Sequence, residues 1–164
     1  MKNYEKSEAI KAGLRKGFQD GSSKMAKRKC YGYDITRDGE LIINQDEAEV
    51  VLWIFQQYME GRSLGKIASA LERKGILSPT GRPKWSREAI AKLLSNEKYT
   101  GRVILQKTIS TGVSQVQNDG LMTRYLYPDA HEAIVSDEIY MDVQNEKQRR
   151  SKSAENQFVT QQMF

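Results

Sequence analysis

"SLGKIASALERKGILSPTGRPKWSREAIAKLLS", residues 63–95, holds two short amphipathic segments joined by a connection rich in turn-forming residues. In the first, Leu64, Ile67, Ala68 and Leu71 recur at i, i+3, i+4 and i+7, the spacing of a helix face packed on a core. Ser63 stands where an N-cap is wanted, and Gly75 where the helix should stop. The second begins at another capping residue, Ser86, and turns Ile90, Leu93 and Leu94 inward as far as about Ser95. Helices over 63–74 and 86–95 point to a helix-turn-helix, but "ILSPTGRPKW" is much longer than the usual tight turn. The spacing allows a variant with a looped insertion.

Upstream, Asn44 followed by Glu47 resembles a capping box with Asn in place of Ser or Thr. It opens a helix to about Glu60, with Val51, Ile54, Phe55 and Tyr58 as its buried stripe and Gly61 as its stop. "YGYDITRDGELIIN" alternates aromatic and β-branched residues about Arg37-Asp38-Gly39, which predicts a hairpin over 31–43. Residues 4–19 place Ala9, Ile10, Leu14 and Phe18 at roughly helical spacing; Gly21-Ser22-Ser23 stops that helix, and a basic linker follows to Cys30. Downstream, GRVILQKT and GLMTRYLY read as two strands joined by a polar loop from about Ile109 to Asp119. A last helix from Ser136 carries Ile139, Tyr140 and Val143 before a charged stretch, and residues 151–164 are expected to form a flexible tail. The fold class expected is α+β, helix-rich with small antiparallel strands.

Composition narrows the function. The 164-residue chain is 38% hydrophobic and 29% charged, with no apolar run long enough for a membrane span and no apolar signal-peptide core at its start. A cytoplasmic protein is expected. Cys30 is the only cysteine and His131 the only histidine, which excludes an intrachain disulfide and a Cys/His zinc cluster. The net charge of +5 is unevenly spread: residues 1–30 and 63–102 each carry nine Lys/Arg against three Asp/Glu, and the segments between and after them are acidic. Two such basic blocks suit a phosphate-bearing partner.

The second block surrounds the helix at 86–95. Its exposed face offers Ser86, Arg87 and Lys92; Arg82 and Lys84 approach from the preceding loop, and Asn96, Lys98 and Arg102 from the following one. A helix start with Ser and Arg between basic loops suits major-groove docking, where lysines position phosphates and Arg or Asn reads base edges. The other reading of the same pattern is a solvated surface with an i,i+4 pair of Glu88 and Lys92, Trp85 being a core plug. Enzyme chemistry finds little support. GxxxxGK[ST] and GxGxxG are absent, His131 has no visible nucleophile beside it, and Cys30 reads as an ordinary thiol despite neighbouring Lys29. Asp46 and Glu47 are explained by the helix dipole at a helix start.

Residues 31–108 as an ordered series resemble the recombinase domain of the large serine recombinases, the integrases and transposases of phages and mobile elements. The series runs from the aromatic-Gly-Tyr opening through EAEVV, "SLGKIASAL" and "WSREAIAKLLSNEKYTGRV" to "HEAIVSDEIYMDVQ" at 131–144. The resemblance implies that residues 1–20 include the distal part of a connector helix from a catalytic domain, 21–30 a basic linker, and 31–150 the DNA-binding domain. It implies double-stranded DNA at an attachment half-site as partner, no cofactor, and no catalytic residue in this chain, because the family's serine nucleophile belongs to a separate catalytic domain. The usual zinc ribbon is not in the sequence, and Cys30 replaces the family's proline before the aromatic-Gly-Tyr. Lys27, Arg28 and Lys29 become candidates for a minor-groove or backbone tether, Arg87 for a base contact, and Lys84, Lys92 and Lys98 for phosphates. The intact parent would act as a dimer on half-site pairs and a tetramer in synapsis, the fragment alone as a monomer. Two alternatives stay open, a stand-alone DNA-binding regulator and a protein-interaction module.

Overall fold

The computed structural model describes residues 28–105, 107–110, 115–118 and 124–162, together with 9, 12–16 and 19 near the N-terminus. Those N-terminal residues are helical, as their spacing predicts, but Leu14 is 49% exposed and so is not packed on the core; Ile10 and Phe18 lie outside the described residues.

From Cys30 the chain forms an antiparallel hairpin of β1 (Tyr33–Ile35) and β2 (Leu41–Ile43), with Tyr33 opposite Ile43 and Ile35 opposite Leu41. Helix α1 (Gln45–Met59) follows at once, its first turn capped by Asn44, whose side chain accepts from the Glu47 N–H at 3.1 Å. The return half of the expected capping box is spent elsewhere. Glu47 accepts from the Gly32 N–H at 2.8 Å, while the Asn44 N–H donates to the Gly32 carbonyl at 2.9 Å. The cap thereby ties the hairpin to the helix.

Helices α1 and α2 (Leu64–Arg73) end in the same way, with paired bonds back into the last turn: Arg62 N–H to Gln57 and Gly61 N–H to Tyr58 in one, Ile76 N–H to Leu71 and Gly75 N–H to Glu72 in the other. Ser63 starts α2 and Ser86 starts α3 (Arg87–Leu94), each hydroxyl accepting from the N–H three residues on. The long connection between α2 and α3 is held by Trp85, 5% exposed, whose indole N–H donates to the Ile76 carbonyl at 2.9 Å. Val51, Ile54, Phe55, Ile67, Leu71, Ile90 and Leu94 form one core with Tyr33, Tyr99, Val135 and Val143. Burial of these side chains is the main stabilising term.

A 3₁₀ turn at Glu97–Thr100 leads to β3 (Val103–Leu105), which pairs antiparallel with β6 (Tyr125–Tyr127). Between them, β4 (Thr108–Ser110) pairs with β5 (Gln115–Gln117), so the stretch expected as a polar loop contains a second strand pair. Thr108–Ser110 and Gln115–Gln117 each carry a single apolar residue, too few for alternation to signal a strand.

The final helix, α4, runs over Asp137–Gln162 and so extends through most of the expected tail. Residues 137–162 contain neither Gly nor Pro, and Glu146 pairs with Arg149 and Arg150 one turn on. One face of α4 supplies the groups that close other helices. Tyr140 donates to the Ser95 carbonyl at 2.9 Å and Gln144 to the Leu94 carbonyl at 2.7 Å; Lys147 reaches the Ala91 carbonyl and the Ser95 hydroxyl. Arg150 donates to the carbonyl of Tyr58 in the last turn of α1 at 2.7 Å and to that of Arg62, beyond its end, at 2.9 Å. The C-terminal end of α3 is thus fastened, and its N-terminal end faces outward.

Candidate nucleic-acid interface

The first turn of α3 is the centre of the surface. Arg82, Lys84, Ser86 and Arg87 are exposed around it, and Lys92 is exposed in the last turn, as the pattern predicts. The Ser86 oxygen accepts the Ala89 N–H at 3.0 Å, leaving its O–H as a donor. Lys92 lies 2.9 Å from Glu88, the i,i+4 pair foreseen in the solvated-surface reading. Arg82, Lys84 and Arg87 have no carboxylate partner among the described residues.

Two clefts flank this turn. On the loop side, Arg82 and Lys84 line a hollow of about 230 Å³ with Ser78, Thr80 and Ser86. On the α2 side a larger, open cleft of about 670 Å³ is lined by Arg62, Ser63, Gly65, Lys66, Ser69, Arg73 and Arg87. Gly65 admits Arg87 to it: a Cβ there would lie 3.1 Å from both Nε and Nη2 of the guanidinium. The planar head of Arg87 therefore rests against the backbone of α2.

Residues after α3 behave differently. The Asn96 carboxamide caps the 3₁₀ turn by accepting the Lys98 N–H at 3.2 Å, and its Nδ2 donates to the Cys30 sulfur at 3.4 Å. The Lys98 ammonium is half-buried against the Arg28 carbonyl at 3.5 Å, and burial holds its pKa below the ordinary lysine value. Arg102 donates to the Thr100 hydroxyl at 2.9 Å, pairs with Asp137 at 3.0 Å and faces the Tyr140 ring. All three expected contact residues serve the fold in this arrangement. Of the basic linker, Arg28 and Lys29 are exposed, and Lys27 lies outside the described residues.

A family model described as Recombinase matches residues 45–150, about two-thirds of the chain and all of the helical core. The chain belongs to the recombinase family. Among solved structures, a crystal structure of an LSR–DNA complex is similar at 24% identity and a TM-score of 0.50, covering 76% of this chain and 33% of that one. A structure from work on the sequence requirements of the Listeria innocua prophage attP site is similar at 25% identity and a TM-score of 0.49, covering 76% of this chain and 44% of that one. The recombinase domain described here thus spans less than half the length of either.

The α2 side of the cleft escaped the sequence reading, although a signal was present. Lys66, Ser69 and Arg73 stand at i, i+3 and i+7, one narrow stripe opposite the buried Ile67 and Leu71, and Arg62 lines the same cleft from the link before the helix.

Groups with reactive side chains are accounted for by structure. Gly61–Gly65, "GRSLG", spells a GxSxG pattern, but it joins two helices, whereas a nucleophile elbow joins a strand to a helix; the Ser63 hydroxyl caps α2. Cys30 is buried, which pushes its thiol pKa up and its reactivity down. The His131 Nε2–H donates to the Lys98 carbonyl and its ring meets Tyr33 edge-on, while burial lowers its pKa. Both fit the structural roles expected from sequence.

Proposed function

We propose that this recombinase domain binds one segment of a duplex DNA attachment half-site, as the DNA-binding part of a serine site-specific recombinase. The observation that carries the reading is the outward first turn of α3, where Arg82, Lys84 and Arg87 stand without acidic partners between two cationic clefts. An internal core residue or a solvated helix face needs no such concentration of uncompensated charge. Helix α3 enters the major groove by its N-terminal end, with Arg87 reading a base edge and Arg82, Lys84 and Lys92 on phosphates. Lys27, Arg28 and Lys29 follow the backbone or minor groove beside it. Lys98 contributes indirectly by holding the Arg28 carbonyl, and Asn96 by holding the turn beneath it. In the parent, such binding places a separate catalytic domain at the crossover site.

Fluorescence anisotropy with an element-end duplex and a scrambled duplex tests this reading. About six phosphate contacts give log K falling with log salt at a slope of roughly −5 on both duplexes. A preference for the element end is expected besides. Absence of salt-sensitive binding would instead favour a protein-interaction module.

A further inference from the structure

The cleft between α2 and α3 has features that the docking of α3 alone does not use. Lys66 and Arg73 are exposed on one stripe of α2 and Arg62 in the link just before it, and none meets a carboxylate among the described residues. Between the cations of the cleft lie the hydroxyls of Ser63 and Ser69, which can donate to anionic oxygens. No lining residue is aromatic, so there is no platform on which a base could stack. The chemistry favours a chain of phosphates.

Dimensions select among phosphate ligands. Lys66 to Arg73 covers about 10 Å of helix axis at 1.5 Å per residue. Consecutive phosphates of one DNA strand lie roughly 7 Å apart along the strand, about twice their ~3.4 Å rise on the duplex axis, so this length spans one to two steps, and Arg62 extends it. A free phosphate or a nucleotide would leave most of the stripe unoccupied.

We propose that the exposed face of α2 and the link before it form a track for the sugar–phosphate backbone of duplex DNA, with Arg62, Lys66 and Arg73 along one strand. This rests on the duplex-binding reading of α3 and adds a second contact surface to it. The track fixes how deeply and at what angle α3 enters the groove, but it carries no sequence information.

The test is the salt dependence of binding to mixed-sequence duplex DNA, measured for the chain and three variants. R62A/K66A/R73A removes the track, Lys66→Ala removes one contact, and R37A/R124A/K152A removes three exposed cations elsewhere. The track variant should lose about 2.7 from the magnitude of the salt slope, and Lys66→Ala about 0.9. The charge-matched variant should keep its slope, and all should keep the melting temperature of the parent chain. Should the chain bind with R62A/K66A/R73A and Lys66→Ala keeping its slope, the track is overturned while the α3 reading stands. An equal loss in the charge-matched variant would also overturn it, by showing a net-charge effect. If the unsubstituted chain does not bind duplex DNA, both readings fall together.

Discussion

Arg82, Lys84 and Arg87 stand around the first turn of α3 without an acidic partner among the described residues, whereas Asn96, Lys98 and Arg102, just beyond its last turn, are each bonded into the fold. Both groups belong to one basic block of the sequence. The difference follows from the polarity of the helix and from what packs on each end. The C-terminal end of α3 meets α4, so polar side chains there satisfy carbonyls and close the turn into β3. Among the described residues, no carboxylate pairs with Arg82, Lys84 or Arg87 at the N-terminal end. Charge counted along a sequence thus marks a region, and packing decides which members of it are available.

The comparison predicts that substitutions after α3 cost stability and leave the salt slope alone, while those before it do the reverse. Gly101 gives the largest expected effect. Its φ is +83° and a Cβ would lie 2.7 Å from the His131 carbonyl oxygen, a backbone atom. Gly101→Ala should therefore destabilise by about 2–4 kcal/mol. Urea unfolding measures this, and a salt slope that changed in the still-folded protein would break the division.

Arg87→Ala comes next and acts on the other side. Loss of one bidentate base contact costs about 1–3 kcal/mol of discrimination between element-end and scrambled duplexes. The melting temperature should move little, because the exposed guanidinium only rests on the α2 backbone and has no ion-pair partner among the described residues. Equal losses on both duplexes would reassign Arg87 to phosphate contact.

How much of this was legible beforehand depends on the range of the interaction. Asn44, Ser63 and Ser86 were readable as caps because a cap is local, three residues from its partner. The apolar stripes of α1, α2 and α3 were readable because periodicity is local too. By contrast, Asn96 to Cys30 and Arg150 to Tyr58 join residues whose separation along the chain carries no signature. The same holds for Glu47, whose carboxylate bonds Gly32 in place of Asn44. At the site, the basic face of α3 was visible as composition, but the withdrawal of Asn96, Lys98 and Arg102 from it was not.

Gly65 sharpens the comparison, because there stability and recognition should move in opposite directions. Alanine is the better helix former, so Gly65→Ala should stabilise by at most about 1 kcal/mol. The added methyl would crowd the flexible end of Arg87, which must shift by a few tenths of an ångström. Discrimination should fall by less than Arg87→Ala causes, and the loss should vanish in the Arg87→Ala background. Additive losses would show that Gly65 acts independently of Arg87.

The smallest effect concerns His131, which belongs with the bonded group through the Lys98 carbonyl. Burial lowers its pKa from the ordinary value near 6.5 and outweighs the hydrogen bond to the Lys98 carbonyl, which acts upward; the nearby Lys98 ammonium adds to the lowering. The unfolded chain therefore binds a proton more readily than the folded one below about pH 6.5. This contribution to stability is complete above that pH and is lost as the pH falls from it toward the lower folded pKa. Glu146 lies apart from this window, since Arg149 and Arg150 hold its carboxyl at about 2. Urea midpoints should drop modestly between about pH 7.5 and about pH 5.5, and His131→Gln should flatten the drop. A drop unchanged in that variant would place the titration elsewhere and leave the imidazole as a packing and hydrogen-bonding group only.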